Sequence, residues 1–167
     1  MTSQRRAAAV VRAAEIEAAS RTFRHPWNPR SELHAAHLSG LGGLRRTGLS
    51  IAVLPPGRES FDEHAHWIEE EWIYLLDGRA VARIDGEEIE LGAGDFVAFP
   101  TPSVPHLLCN PFDRPVRYLM GGESRDCEVA DFPRLGRRMF RQHGQVEWAP
   151  LEAFERMSFE SADDEEE

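Results

Sequence analysis

The chain has 167 residues and a formal net charge of −10. This acidic balance argues against nucleic-acid binding, which depends on clustered Lys and Arg. All 19 basic residues are Arg, which excludes Schiff-base chemistry on a lysine and a pyridoxal cofactor held in that way. No run approaches the roughly 18 apolar residues of a membrane span, and two cysteines imply no disulfide framework. These properties favour a soluble, cytoplasmic protein.

The length suits one domain with modest tails. Residues 1–22 are rich in Ala but poor in large apolar side chains, and they are predicted to form a flexible helical tail. We expect a single domain over residues 23–150, which starts with an irregular arm at 24–43 on its surface. Residues 151–167 are predicted to form a short helix and then a disordered acidic tail.

Many short apolar runs, separated by Gly and Pro turns, fill the middle of the chain. The predicted strands are residues 47–54, 71–76, 79–84, 87–91, 95–99, 106–110 and 116–120. The Asp-Gly pairs at 77–78 and 85–86 are each predicted to close a two-residue hairpin. Strands of this length and spacing are typical of an all-β sandwich or barrel. After Gly122 the regular pattern stops, and the apolar side chains that follow are expected to dock against the outside of the barrel.

Four side chains in this region have the chemistry of metal ligands: His64, His66, Glu71 and His106. Residues two apart in a strand point to the same face, so His64 and His66 aim at one point. A following strand can present Glu71 beside that point, and a third strand can present His106. Three imidazoles and a carboxylate suit one divalent transition metal, which the sequence leaves open among Fe, Mn, Ni, Co, Cu and Zn.

The same two-residue period predicts which neighbouring side chains share a strand face with these ligands. Asn110 shares a face with His106 and is predicted to lie as an amide beside the metal ligands. Ile73 and Leu75 share the face of Glu71 and are predicted to make the wall of the pocket apolar.

The sequence identifies no general acid or base besides the predicted ligands. Tyr118, Glu123 and Asp95 are candidates, but Tyr118 could simply pack and Asp95 could serve a turn. Cys109 points away from the face of His106 and is interpreted as a small core residue instead of a nucleophile or ligand. The catalytic residues are therefore left open.

Trp72, Tyr74 and Leu76 alternate on the face opposite Glu71. An exposed apolar row of that size is typical of an interface or of an aggregation patch. We expect it to be covered by the second layer of the domain, by the N-terminal arm or by a second subunit.

One stretch reads Gly57, six residues, His64, Ala, His66, four residues, Glu71, six residues and Gly78. This arrangement resembles the first motif of the cupin superfamily: Gly, a spacer, His-x-His, three or four residues, Glu, six residues and Gly. The family spacer before the first histidine is usually five residues, one fewer than here.

A second cupin motif follows. It consists of Gly, five residues, Pro-x-Gly, two residues, His, three residues and Asn. The matching residues here are Gly94, Pro100, His106 and Asn110. The Pro-x-Gly step is replaced by Pro-Thr-Pro-Ser at residues 100–103, with one extra residue before the histidine. The resemblance covers residues 50–122, and the runs at 118–125 and 129–133 are similar to small single-domain bacterial cupins.

The resemblance implies an all-β double-stranded β-helix, or jelly roll, with an irregular N-terminal arm and a short C-terminal helical segment. It also implies a homodimer and a metalloenzyme that acts on a small oxygenated metabolite, as an isomerase, a dioxygenase or a decarboxylase. The alternative is a cupin that binds or senses a small ligand without turnover.

Overall fold

Antiparallel strands make up most of the described chain, which comprises residues 9–155 and 157 of a computed structural model. In chain order the strands are β1 (Arg21–Phe23), β2 (Leu33–His37), β3 (Thr47–Leu54), β4 (Ala65–His66), β5 (Glu71–Asp77), β6 (Arg79–Ile84), β7 (Glu87–Gly92), β8 (Phe96–Phe99), β9 (His106–Cys109), β10 (Val116–Glu123), β11 (Cys127–Phe132), β12 (Arg137–Gln142) and β13 (Gln145–Pro150). Two short helices accompany them, α1 (Ala13–Ala19) and α2 (Leu38–Gly42).

The strands form three sheets, and two of them enclose the core. A six-stranded sheet has the order β1-β2-β3-β10-β5-β8, and a three-stranded sheet has the order β7-β6-β9. Leu54, Leu75 and Tyr118 from the first sheet pack against Ala82 and Leu108 from the second, and all five are buried. The predicted all-β jelly roll is therefore confirmed.

The two Asp-Gly pairs play different parts. Asp85 and Gly86 both have positive φ angles, 50° and 83°, and they join β6 to β7 in the predicted two-residue hairpin. The hairpin predicted at 77–78 is wrong, because β5 pairs with β8 and β10 whereas β6 pairs with β7 and β9. Gly78 instead carries the chain from one sheet to the other. A Cβ there would lie 2.8 Å from the carbonyl oxygen of Pro115, so the crossing requires glycine.

Strands continue past Gly122, where the sequence pattern predicts none. β11, β12 and β13 form an antiparallel meander, and β4 adds to it as the fourth strand. In β11 the buried positions are Glu128, Ala130 and Phe132. Because a charged residue occupies this inward face, the alternation of apolar and polar residues that marks a strand is hidden.

The N-terminal arm is anchored by buried polar contacts. Asn28 donates hydrogen bonds to the Glu59 carboxylate at 2.7 Å and to the carbonyl oxygen of Phe61 at 2.6 Å. Arg30 forms an ion pair with the same buried carboxylate at 2.6 Å. The arm then continues into β2, which pairs with β3, so part of the expected irregular segment is regular sheet.

Parts of the predicted tails lie outside the described residues, namely 1–8, 156 and 158–167. Within the described part, α1 begins after Arg12, whose backbone N–H donates to the Glu15 carboxylate at 2.7 Å. The expected C-terminal helix contains one 3-10 turn, at Leu151–Ala153. Neither α1 nor α2 has the length and hydropathy to cross a membrane.

The apolar row on β5 lies on the outer face of the six-stranded sheet. Trp72 is half-buried because its ring occupies the space beside Gly121, where a Cβ would lie 2.5 Å from the indole. Tyr74 and Leu76 remain 38% exposed, and Phe96 on the neighbouring edge strand β8 is 60% exposed. The described part of one chain therefore leaves much of this face uncovered.

Tyr118 is fully buried, and its hydroxyl has no hydrogen-bond partner among the described residues. Replacing it by Phe is expected to change the free energy of unfolding by less than about 0.5 kcal/mol, or to raise it, because no hydrogen bond is lost. Leu75→Ala is the control, because Leu75 lies opposite Tyr118 in the sheet and is equally buried. This substitution is expected to lower the free energy of unfolding by about 2–5 kcal/mol. Urea unfolding measures both. A loss above about 1 kcal/mol in Tyr118→Phe would show that the hydroxyl is hydrogen-bonded.

Candidate metal centre

The four predicted ligands meet where the ends of three strands approach one another. His66 lies in β4, Glu71 begins β5 and His106 begins β9. His64, just before β4, forms an antiparallel bridge with His106, and their backbone N–H groups donate to each other's carbonyl oxygens at 3.2 and 2.9 Å. One potential ligand atom from each of the four side chains lies within 4.8 Å of the other three.

All three imidazoles direct the same nitrogen at one carboxylate oxygen. The distances from Nε2 to Oε2 of Glu71 are 3.7 Å for His64, 3.0 Å for His66 and 3.2 Å for His106. Three Nε2 atoms and a carboxylate at this spacing are a donor set that fits one divalent transition metal.

Two of the rings are held through their other nitrogen by the backbone. Nδ1 of His64 lies 2.8 Å from the carbonyl oxygen of Asp62, and Nδ1 of His106 lies 2.9 Å from that of Val104. A carbonyl only accepts hydrogen bonds, so each Nδ1 carries a proton, and whenever the imidazole is neutral its Nε2 has the lone pair that a metal ligand needs. Nε2 is thereby prepared as a metal ligand.

The third ring is held by Glu128, a fully buried carboxylate on β11 that sequence reasoning missed. Its Oε1 lies 3.3 Å from Nδ1 of His66 and accepts the backbone N–H groups of Trp67 at 3.2 Å and Ile68 at 3.4 Å. Its Oε2 accepts the backbone N–H of Glu69 at 2.7 Å. Glu128 therefore fixes the turn between β4 and β5 and orients His66 at the same time.

The loop before β9, where the sequence departs from the family motif, is also joined to this ligand. The backbone N–H of His66 donates to Oγ of Ser103 at 2.7 Å, and the N–H of Ser103 donates to the carbonyl oxygen of His66 at 2.8 Å. The longer loop thus supports the position of a predicted ligand.

Burial and the mutual contacts shift the pKa values of the cluster. Burial by itself would lower the pKa of His66, but hydrogen bonds to Glu128 and Glu71 raise it to about 9. Burial would raise the pKa of Glu71, but hydrogen bonds from His106, His64 and His66 hold it well below its usual range. The pKa of His64 is lowered, chiefly by burial.

The other predicted pocket residues lie elsewhere. Asn110 is buried, but its amide donates to the carbonyl oxygens of Leu54 at 2.9 Å and Arg114 at 2.8 Å and so fixes a loop, not the ligands. Ile73 and Leu75 point inward as predicted, yet they belong to the hydrophobic core. For Ile73 and Leu75 the strand period identified the inward face, but it did not show which part of that face meets the ligands.

Of the acid–base and nucleophilic candidates, Glu123 lines the cavity and is paired with Arg125, whereas Asp95, Cys109 and Tyr118 lie away from the ligands. Asp95 accepts the backbone N–H of Gly92 at 2.7 Å in a turn. Burial raises the pKa of the Cys109 thiol to about 11, which makes it a poor nucleophile at neutral pH. Burial likewise raises the pKa of Tyr118.

A cavity of about 340 Å³ opens beside the ligands, with His64, His66 and Glu71 in its lining. Six apolar side chains line one side of the cavity and are called the apolar wall below: Leu49, Phe61, Met120, Ala130, Phe132 and Met139. Three of these six residues come from β11 and β12, so the C-terminal meander forms part of the site.

The sequence was compared with protein-family models and with known proteins. Residues 50–122 match the family model of the cupin domain. An uncharacterized protein of Methanocaldococcus jannaschii is 32% identical over 74 residues, which are 44% of this chain and 58% of that protein. The chain therefore spans less than two thirds of this relative.

Solved structures are similar over most of the chain. A putative sugar phosphate isomerase from Acidithiobacillus ferrooxidans has a TM-score of 0.87 and 26% sequence identity, covering 92% of this chain and 99% of that chain. A sugar phosphate isomerase of the cupin superfamily from Silicibacter pomeroyi has a TM-score of 0.73 and 23% identity, with 86% and 90% covered. Residues 50–122 therefore match the cupin domain, and the described chain shares the fold of these two structures.

Proposed function

We propose that the protein binds one divalent transition metal through His64, His66, Glu71 and His106, and that it is a metalloenzyme acting on a small oxygenated molecule. The observation that carries this proposal is that three Nε2 atoms lie within 3.7 Å of one Glu71 oxygen. Four polar groups gathered in a largely apolar surrounding need partners, and a metal ion satisfies all of them at once.

Four protein ligands leave about two positions of an octahedral shell for two oxygen atoms of a substrate. A metal bound there would supply Lewis-acid catalysis or would activate dioxygen. The chain's own residues hold the ligands in register, through Glu128 on His66 and backbone carbonyls on the other two rings. The aromatic rings of Phe61 and Phe132 exclude water from one side of the cavity.

Isomerase, dioxygenase and decarboxylase chemistry are all compatible with this arrangement. The name of the similar Acidithiobacillus ferrooxidans protein, a putative sugar phosphate isomerase, supports the first of these. An isomerase must move a proton between carbon atoms, and Glu70, an exposed carboxylate in the lining of the cavity, is the candidate to accept it.

The test of this function compares wild type with His106→Ala. Wild type purified without added metal is expected to contain about one transition-metal ion per chain by elemental analysis, and the variant much less. For a small oxygenated ligand found by screening, turnover followed by mass spectrometry should fall by orders of magnitude in the variant, because the metal supplies the transition-state stabilisation.

His34→Ala is the matched control, because His34 bonds to the Thr22 hydroxyl at 2.9 Å, away from the cluster. It should keep both metal and turnover. Equal metal content in wild type and His106→Ala would contradict the proposed site. If a ligand binds only to the metal-loaded protein and stays chemically unchanged both with and without oxygen, the enzyme proposal is rejected for that ligand. The protein would then be interpreted as a cupin that binds or senses a small ligand.

Metal binding is expected to release a proton. In the metal-free protein the pKa of His66 is about 9, so at pH 7 its Nε2 carries a proton that a metal must displace. Affinity should therefore rise with pH, about tenfold per unit for each proton released, and level off near pH 9. Calorimetric titration in buffers of different ionisation enthalpy counts the protons.

Glu128→Gln is the informative variant in this titration, because it removes one of the two carboxylates that raise the pKa of His66. It should release fewer protons and bind the metal about 10- to 100-fold more weakly. An affinity that is constant between pH 6 and pH 8 in wild type would contradict the proposed role of His66.

We also propose that the protein is a homodimer, joined through the outer apolar face of β5 and β8. Exposed Tyr74, Leu76 and Phe96 support this, together with the unpaired edge of β8 in the six-stranded sheet. Phe96→Glu is expected to give a monomer by size-exclusion chromatography with light scattering. Ile89→Glu, at an exposed position in another sheet, should not. A monomeric wild type would reject the proposal.

A further inference from the structure

The cavity beside the four ligands is apolar on the side that a substrate's body would occupy. Phe132 is stacked on His64, with ring centroids 5.4 Å apart, and Phe61 meets the same imidazole edge-on at 6.0 Å. Leu49 and Met139 extend the apolar wall. Binding sites of this kind hold the apolar body of a ligand and fix its orientation through a few polar groups.

The charged side chains around this cavity are mainly acidic. Besides Glu71, the lining contains Glu69, Glu70 and Glu123 but a single arginine, Arg141. Nη2 of Arg141 donates to Oε1 of Glu69, so its guanidinium already has a carboxylate partner.

The remaining histidines of the lining add little positive charge. Nδ1 of His25 accepts the backbone N–H of Trp27 at 3.4 Å, so that nitrogen carries no proton. His37 is exposed to solvent, where water and salt weaken any electrostatic interaction with a ligand. Proteins recognise phosphate with unpaired Arg or Lys, and the described lining of this cavity leaves no such group free.

The charge of the centre itself favours a monoanion. A divalent ion bound to neutral imidazoles and one carboxylate, Glu71, has a net charge of about +1. A ligand with one negative charge neutralises the centre, whereas a phosphate dianion adds charge beside Glu69, Glu70 and Glu123.

We propose, on the basis of the metal site proposed above, that the cavity selects a monoanionic ligand that chelates through two oxygen atoms and carries an aromatic or branched apolar body. A 2-hydroxy acid or a 2-oxo acid with such a substituent has this chemistry. Phosphorylated ligands with the same chelating group are disfavoured.

Three probes with one chelating head test this selection. Lactate, 3-phenyllactate and 3-phosphoglycerate all present a 2-hydroxy acid, and they differ only in bearing hydrogen, phenyl or phosphate on the third carbon. Each is titrated into Co²⁺-loaded protein and into metal-free protein, with the Co²⁺ absorption band and calorimetry as readouts. We expect 3-phenyllactate to bind about 10- to 100-fold more tightly than lactate and 3-phosphoglycerate no more tightly than lactate.

A variant of the apolar wall shows where the preference arises. Met139→Gln keeps the length of the side chain but makes it polar, and it is expected to reduce the preference for 3-phenyllactate several-fold. Val146→Gln makes a matched change in the same sheet, at a half-exposed position outside the cavity, and should leave the preference unchanged.

The outcomes separate the two proposals because the Co²⁺ content of each sample is measured first. If the protein holds the metal but binds 3-phosphoglycerate most tightly, or binds 3-phenyllactate and lactate equally or not at all, the ligand selection is wrong and the metal site stands. If the protein does not hold Co²⁺ or another divalent transition metal, both proposals fail.

Discussion

The structure of the site depends on one interaction, the convergence of three imidazole Nε2 atoms on a single oxygen of Glu71. The arrangement persists because each ring is held from behind: Nδ1 of His64 and His106 bonds to backbone carbonyls, and Nδ1 of His66 faces the Glu128 carboxylate. These outer partners fix both the tautomer and the direction of each ring. The folded chain thereby presents a preorganised donor set instead of assembling one around the metal.

The site is built from two parts of the chain. The segment that matches the cupin domain, residues 50–122, supplies the four side chains that could hold a metal. The meander β11–β13 lies beyond that domain, yet it places Glu128 behind His66 and Phe132 on the face of His64. Residues 50–122 therefore provide the cluster of donor atoms, whereas the meander provides part of the cavity wall beside it.

The clustering of His64, His66, Glu71 and His106 could be predicted because two of them are close in sequence and the other two occupy positions of a family motif. The two-residue strand period brings His64 and His66 together without knowledge of the rest of the fold. Glu128 could not be found in this way, since it is 62 positions from His66 and looks like an exposed charge in its own strand. The strand period predicted Asn110 beside the ligands, but it does not reveal that the amide bonds to the backbone of Leu54 and Arg114 instead. Long-range packing decided what the local pattern left open.

The most direct measurement of the central claim is X-ray absorption spectroscopy at the metal edge of the loaded protein in solution. The account predicts a first shell with three imidazole nitrogens and a carboxylate oxygen, at about 2.0–2.2 Å, completed by light atoms from solvent. The multiple-scattering pattern of imidazole should weaken by one third in His66→Ala, because one of three rings is removed. A first shell with sulfur, or with fewer than two imidazoles in wild type, would contradict the account.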